Sequence, residues 1–217
     1  RTDLEYNIGN SGGGFDKLRL KFPSTRPKID KYEISTEIPL NRRNDGRADI
    51  VISTPVYGGG MSFGSVSLST MVGKAHNATN WNTFTCTGEG GYPEVLQPYD
   101  EHVITQVATG LFGVREETIQ RVKIVEFKYA QGAKPGLGGH LLGEKNTESV
   151  ARMREAVKGS PLFSPFPFHS VYSIEDHKKH IDWIKEMNPH ALVSVKVSTP
   201  NDVDMVAVGS YYAGAHI

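Results

Sequence analysis

The sequence lacks the features that define several classes of protein. It has one cysteine, Cys86, in 217 residues, which excludes an internal disulfide and any zinc or iron–sulfur site built from several cysteines of this chain. No apolar run approaches the roughly 20 residues that a membrane-spanning helix requires. Lysine plus arginine number 24, as do aspartate plus glutamate, so no net charge favours a nucleic acid or a membrane surface as partner. We therefore expect a cytoplasmic protein without a metal site.

Glycine is the residue in excess, at 23 positions. Its spacing is not periodic, which excludes collagen, and an apolar content of 38% is too high for a disordered tract. The densest stretch, FKYAQGAKPGLGGHLLGEK at residues 127–145, holds five glycines and three lysines directly after a predicted strand. Glycine loses more conformational freedom on folding than any other residue, so this density beside polar side chains needs a functional reason.

Strand, glycine-bearing loop and helix recur with short connections along residues 49–217, after an extended lead-in over residues 1–48. The predicted strands are Asp49–Thr54, Thr83–Thr87, Val122–Ala130, Leu162–Pro165, Ala191–Val197 and the start of a sixth at Ala215–Ile217. The predicted helices begin at Ser67, at Asn146 or Thr147, at Ser173 and at Val203.

This order is typical of parallel βα units, and we predict a TIM (β/α)₈ barrel, with a doubly wound open sheet as the alternative. Five to six βα units are fewer than a closed barrel contains. We therefore expect the N-terminal portion of a barrel, either as a fragment or with its remainder in a separate polypeptide.

Alternation along two strands predicts where the cations point. In VEFKYA, Val125, Phe127 and Tyr129 share one face and leave Lys128 on the other. In VSVKV the three valines share a face and Lys196 points the opposite way. If the apolar face packs under helices, both ammonium groups enter the barrel mouth, where they need an anion. The alternative interpretation pairs them with Glu126 or leaves them on the surface.

Seven ordered motifs between residues 55 and 217 resemble one family. GGMSFGSVS, TGEGG, QVATGLFGV, KYAQGAKPGLGG, SPFPFHSVYSIEDH, MNPHALVSVKV and AGAHI follow the order found in the FMN-binding synthase domain of glutamate synthase. The resemblance is greatest to the archaeal-type, stand-alone members. It implies a barrel that holds FMN at its C-terminal face, where ammonia condenses with 2-oxoglutarate and the resulting 2-iminoglutarate is reduced to L-glutamate.

The resemblance also assigns roles to residues of this chain. The FMN-binding residues that it implies are Met61, Ser62, Gly64, Gln131 and Lys196. The implied residues for the oxo acid are Lys128, Lys134 and Arg154, and the implied catalytic residues are Glu89 and Lys134. His140 is a further candidate for binding the oxo acid, with a structural hydrogen bond within its loop as the alternative. On this basis the glycines of the 127–145 segment let the chain close over flavin and substrate as a lid.

Partners and further centres are implied as well. Ammonia is expected from a glutaminase subunit or domain, and electrons from ferredoxin or an NAD(P)H-linked donor. The phosphate-binding and iron–sulfur segments of the family follow beyond residue 217, and we expect an oligomer.

The chain departs from the family pattern at two positions: His140 stands where glutamine is usual, and Cys86 where asparagine is common. These departures keep an alternative open, a relative that makes N-methylglutamate from methylamine and glutamate. A second alternative is a non-catalytic module for electron transfer or assembly. We expect no role in the site for His169, His177 and His180, which read as helix-flank or surface residues, and we expect Asp202 and Asp204 to cap a helix.

Overall fold

A computed structural model describes residues 21, 24–25, 28, 30, 32–47, 49–131, 139–165, 168–198 and 202–217. The chain divides into two compact units, Arg1–Ser35 and Thr36–Ile217. In the first, the Asp30 carboxylate accepts a hydrogen bond of 3.0 Å from the Tyr32 N–H. Most of the predicted lead-in and the predicted site residue Lys134 lie outside the described residues.

The second unit contains a four-stranded parallel sheet, a small antiparallel pair and helices. Its described strands are β1 (Ile38–Pro39), β2 (Val51–Ile52), β3 (Thr85–Cys86), β4 (Val103–Ala108), β5 (Ile124–Lys128) and β6 (Leu192–Lys196). Its described α-helices are α1 (Leu68–Asn80), α2 (Glu116–Arg121), α3 (Glu148–Arg154), α4 (Ile174–Met187) and α5 (Val203–Ala213). Two 3₁₀ segments, Glu94–His102 and Gly143–Lys145, lie between these elements.

The parallel sheet follows chain order, β3-β4-β5-β6. Its register pairs Gln106 with Glu126, Glu126 with Ser194, and Lys128 with Lys196. Because parallel strands end at the same edge of a sheet, the loops that follow β3, β5 and β6 converge there.

One face of this sheet is apolar and packs under helices. Phe127 of β5 and Val193 of β6 share a buried cluster with Ile181 and Ile184 of α4. Further members from α1, α2 and α5 are Met71, Ala75, Ile119 and Ala213. A doubly wound sheet would carry helices on both faces. These four helices pack on one face, so the described part of the chain does not have the doubly wound arrangement.

The opposite face changes character along the strands. Near their N-terminal ends, Ile104, Ile124 and Leu192 form a second buried cluster with Ile52 of β2. β2 pairs antiparallel with β1, so this hairpin covers the part of the face near the N-terminal ends of the parallel strands. Nearer their C-terminal ends the same face carries polar side chains, and the functional candidates lie there.

Several predicted strands differ from the observed ones. The predicted strand Asp49–Thr54 is only the short β2, outside the parallel sheet, and β4 had no counterpart in the prediction. Leu162–Pro165 does not form a strand of the sheet and makes a single antiparallel bridge, between Leu162 and Leu141. The Ala215–Ile217 segment lies beside β6, where the Ile217 carbonyl accepts a hydrogen bond of 2.9 Å from the Val195 N–H.

The helix starts agree better with the sequence. Ser67 caps α1 and Ser173 caps α4, each accepting a hydrogen bond at 3.2 Å from the N–H three residues later. Asp202 holds the cap position of α5, as predicted, although its side chain makes no capping hydrogen bond, and Asp204 lies in the first turn. Helix α3 ends sooner than its apolar pattern suggested, at Arg154, and leaves Val157 exposed. Within the described residues, every helix is too short or too polar to cross a bilayer.

Candidate functional site

A cavity of about 590 Å³ opens at the C-terminal ends of the parallel strands. Nine of the ten predicted site residues line it: Met61, Ser62, Gly64, Glu89, Lys128, Gln131, His140, Arg154 and Lys196. The tenth, Lys134, is outside the described residues. The prediction that Lys128 and Lys196 lie on the face opposite the helices is therefore confirmed, and both side chains line one cavity.

A buried ion pair forms one wall of the cavity. Lys128 Nζ lies 2.9 Å from Glu89 Oε1, and the two side chains are only 8% and 12% exposed. The alternative interpretation had assigned Glu126 as the partner of the lysines. The structure instead brings Glu89 from the loop after β3, so the Lys128 charge is balanced by a carboxylate that also faces the cavity.

Arg154 supplies a second cation at the end of α3. Its side chain is buried, and Nε has no hydrogen-bond partner among the described residues. Burial lowers the pKa of this guanidinium, while attraction to Glu89 acts in the opposite direction. A buried guanidinium with an unpaired donor is poorly solvated. Arg154 also lines the cavity, so its guanidinium can contact an anion that enters there.

Glycine backbones bring two loops into close contact at the cavity rim. Gly88 has φ of +70°, and a Cβ there would lie 2.7 Å from the Ser62 nitrogen. A Cβ on Gly60 would lie 3.1 Å from the Gly88 Cα and 3.3 Å from the Cys86 sulfur. Side chains at these positions would separate the loop of Met61–Ser62 from the loop of Glu89. The glycines thus allow both loops to line one cavity.

His140 also lines the cavity. Its Nε2 lies 3.2 Å from the Ser164 carbonyl, to which it donates, and its ring packs edge-on against Phe163. This contact fixes the ring by a loop hydrogen bond and leaves Nδ1 for another partner.

The structure corrects only the expected exposure of His177, which is a helix residue outside the polar cavity but not a surface residue. This residue is buried among Phe127, Phe168 and Tyr129, and its Nδ1 contacts the Tyr129 hydroxyl. Burial, with a contribution from nearby His180, lowers the pKa of His177 to about 4. His177 is on the helix side of the sheet, so it belongs to the core and not to the polar cavity.

The sequence did not predict that a buried polar layer lies below the two lysines. This layer contains Cys86, Gln106, Glu126 and Ser194. Burial and the charge of Glu126 raise the pKa of the Cys86 thiol to about 12, so this sulfur stays protonated. Gln106 was missed because β4 was missed, although four of the six residues in VITQVA are β-branched, which was a usable signal for a strand. Among the residues described, no group of three or more His, Cys, Asp or Glu side chains is arranged to hold a metal ion.

Comparison with known proteins identifies the family. A family profile described as a conserved region in glutamate synthase matches residues 17–217. The chain belongs to the glutamate synthase family. It is 40% identical over 183 residues to the archaeal glutamate synthase [NADPH] of Methanocaldococcus jannaschii, which covers 84% of this chain. It is 42% identical over 222 residues to the archaeal-type glutamate synthase [NADPH] of Thermotoga maritima, which covers 93% of it.

The matched relatives are longer proteins. The chain spans 34% of the Methanocaldococcus jannaschii glutamate synthase and 44% of the Thermotoga maritima protein. It also matches the large chain of the glutamate synthase [NADPH] of Azospirillum brasilense at 38% identity, across 13% of that protein. Membership of the family is thus shown over most of this chain, whereas the reaction of a whole protein depends on parts beyond it.

Proposed function

We propose that residues 49–217 form the N-terminal portion of the FMN-binding barrel of a glutamate synthase, preceded by a lead-in over residues 1–48. The observation that carries the proposal is the cavity at the C-terminal ends of the strands. It combines two strand lysines, Lys128 and Lys196, with the unpaired buried Nε of Arg154. Such a concentration of positive charge suits a ligand with two carboxylates, and 2-oxoglutarate is the oxo acid of this family.

The strand order supports the barrel. In a (β/α)₈ barrel, consecutive parallel strands are neighbours and the helices surround the outside. The β3-β4-β5-β6 order and the packing of α1, α2, α4 and α5 on one face have this arrangement. The apolar cluster under the β1–β2 hairpin would then fill the barrel interior near the N-terminal ends of the strands. The polar cavity would lie at the opposite opening, at their C-terminal ends.

The residues present fit a flavin. A volume of about 590 Å³ is within the range of cofactor sites, roughly 300 to 1,000 Å³. The close backbone approach at Gly60 and Gly88 holds the loop of Met61 and Ser62 against the loop of Glu89, so that both loops line this cavity. In this proposal Met61, Ser62, Gly64 and Gln131 contact the ring, and Lys196 supplies positive charge that stabilises its anionic reduced form. FMN, when bound and reduced, supplies the hydride for the reaction.

Side chains of this chain can bind the oxo acid and assist its reaction with ammonia. Arg154 offers a planar donor pair to one carboxylate, and Lys128 and His140 face the same space. Lys134 is proposed to complete this set from outside the described residues. Glu89, held against Lys128, can orient ammonia and take up the proton released as nitrogen attacks the oxo carbon. Loss of water then gives 2-iminoglutarate, which takes up a hydride and a proton to become L-glutamate.

Ammonia and electrons are proposed to come from outside this segment. Glutamine-derived ammonia requires a glutaminase subunit or domain. The reducing electrons require an NADPH-linked or ferredoxin donor, acting through iron–sulfur centres beyond residue 217. We propose that these parts come together in an oligomer.

The test uses the full-length protein with Arg154→Ala, and Arg152→Ala as the matched control. Both arginines are on α3, but Arg152 is exposed. Loss of the charge-assisted contact should raise the KM for 2-oxoglutarate by roughly tenfold to a hundredfold, with FMN content unchanged. Arg152→Ala should leave KM within about twofold of wild type.

Two results would reject the proposal. One is an unchanged KM for 2-oxoglutarate in the Arg154→Ala protein. The other is turnover by the wild-type protein of methylamine with glutamate, without turnover of ammonia with 2-oxoglutarate, which would assign the N-methylglutamate reaction. An unchanged KM, or an absence of oxo-acid turnover, in protein that still binds flavin would indicate the non-catalytic module for electron transfer or assembly.

A further inference from the structure

Three polar side chains lie side by side beneath the cavity, one from each of three adjacent strands. The register places Gln106 of β4 next to Glu126 of β5, and Glu126 next to Ser194 of β6. All three are nearly inaccessible, at 5%, 6% and 2% exposure. A buried carboxylate at the centre of such a row is costly unless its oxygens are fully hydrogen-bonded.

The Glu126 carboxylate uses both oxygens. Its Oε1 accepts a hydrogen bond of 2.7 Å from Gln106 Nε2 and a longer contact of 3.9 Å from the Cys86 sulfur. Its Oε2 accepts a hydrogen bond of 2.9 Å from the Ser194 hydroxyl. Every one of these donors is neutral. The nearest strand cation in sequence, Lys128, pairs with Glu89 instead, so Glu126 is not the ionic partner of the lysines.

The contact with Glu126 determines which way the Gln106 amide faces. A carboxylate only accepts hydrogen bonds, so Gln106 must present its NH₂ group to Glu126. The carbonyl oxygen of the amide then points away from the carboxylate. Gln106 lines the cavity. Its one side-chain hydrogen bond to the residues that the structure describes is the donation from Nε2 to Glu126, which leaves Oε1 without a protein partner. An acceptor of fixed orientation is therefore available to a cavity ligand.

We infer that Glu126 is a positioning residue, which holds the Gln106 carbonyl toward the cavity to accept a hydrogen bond from a ring N–H of the bound ligand. This inference rests on the proposed function, in which the ligand is a flavin, whose imide N–H is such a donor. Ser194 and Cys86 fix the carboxylate in turn. A glutamine without this constraint would rotate between its donor and acceptor ends, and half of its orientations would repel an N–H.

The test is a double-mutant cycle on FMN binding by the full-length protein. Glu126→Gln keeps the size of the side chain but can offer either a donor or an acceptor to Gln106, so the amide is no longer fixed. We expect the FMN dissociation constant, measured by quenching of flavin fluorescence on titration of apoprotein, to rise about tenfold. Gln106→Met, which removes the amide, should have at least the same effect.

The coupling between the two changes separates positioning from a general loss of structure. In the Gln106→Met background, Glu126→Gln should change the FMN dissociation constant by less than about twofold, because no amide remains to be oriented. Ser194→Ala is the matched control. It removes a donor to the same carboxylate without touching the Gln106 contact, and its effect on FMN binding should be the smallest of the series.

Each other outcome overturns a specific claim. Equal weakening by Glu126→Gln in both backgrounds, or no weakening at all, would reject the positioning role. An unchanged FMN affinity in Gln106→Met would reject it even if Glu126→Gln failed to fold. Wild-type protein that binds 2-oxoglutarate but not FMN would reject the flavin part of the proposed function, and the ligand named here with it.

Discussion

Two cavities of nearly equal volume lie at the C-terminal ends of β5 and β6, on opposite faces of the sheet. The polar cavity, of about 590 Å³, receives Lys128 and Lys196. The second, of about 580 Å³, is an apolar groove that receives Tyr129, Val195 and Val197 together with side chains of α4 and α5. Residues adjacent in sequence therefore enter different environments.

The two faces of the sheet should respond differently to substitution, because one carries packed apolar side chains and the other carries charged ones. On the helix side, a hydrophobic residue removed from the core loses contacts and leaves a void. On the cavity side, a removed charge leaves its partner buried without compensation. Substitutions at neighbouring positions of one strand should thus fail in different ways, and the predictions below test that difference.

The largest effect is expected at Lys128. Lys128→Met would leave the Glu89 carboxylate without its partner in a site where both side chains are almost fully buried. We expect a loss of about 3 to 5 kcal/mol in the free energy of unfolding, measured by urea titration of the full-length protein, together with loss of oxo-acid binding. Lys145→Met is the control, because Lys145 lines the same cavity but is exposed. Equal stability of the two variants would mean that the ion pair contributes nothing.

The apolar side should be sensitive to pH through His177. Its pKa falls from 6.5 in the unfolded chain to about 4 in the folded protein. Between these values the unfolded chain binds a proton that the folded protein does not, so stability falls as the pH is lowered from 6.5 toward 4. His177→Gln should flatten this dependence in denaturant titrations. Lowered pKa values of His180 and His216 act in the same direction, so part of the slope should remain. An unchanged slope would contradict the prediction.

A smaller effect is expected at Tyr129. Tyr129→Phe removes the hydroxyl that contacts His177 Nδ1 and leaves that nitrogen buried without a partner. The free energy of unfolding should decrease by about 1 kcal/mol, while FMN and 2-oxoglutarate affinities stay unchanged because the hydroxyl is on the groove side. Tyr172→Phe is matched, since Tyr172 lines the same groove but is 82% exposed. A change in flavin affinity in Tyr129→Phe would show that the two cavities are coupled.

The smallest signal should come from Cys86, at the base of the polar cavity. The thiol is buried and its pKa is raised to about 12, so little thiolate forms near neutral pH. Mass spectrometry of the Cys86 peptide after treatment with iodoacetamide should show no alkylation in the folded protein and full alkylation in denaturant. Alkylation in the folded state would show that the base of the cavity opens to solvent.

The sequence predicted the features that depend on local rules. Alternation with a period of two correctly separated Lys128 from Phe127, because successive side chains of a strand point to opposite faces. The cap at Ser173 was predicted because a serine oxygen accepts a hydrogen bond from the N–H three residues later, and the helix start at Ser67 was predicted from its sequence pattern. Where the local rule was ambiguous, prediction failed. The apolar pattern continued to Val157, but the chain turns at Glu155 with a positive φ.

The partners of charged residues could not be predicted in the same way. Glu126 is two residues from Lys128 and on the same face of β5, yet the lysine pairs with Glu89 from another loop. The short β3 and the unpredicted β4 set this arrangement, since they bring the Glu89 loop and Gln106 to the cavity.

By itself, the sequence determined the family, the α/β class with parallel strands and the faces on which the residues of β5 and β6 lie. Only the tertiary structure decided that Glu89 neutralises Lys128, that Arg154 keeps an unpaired Nε, and that Glu126 orients Gln106. The physical reason is the distance along the sequence over which each feature is determined. Side-chain direction follows from the backbone of a few residues, whereas a buried charge takes the partner that folding places within reach, however distant in sequence.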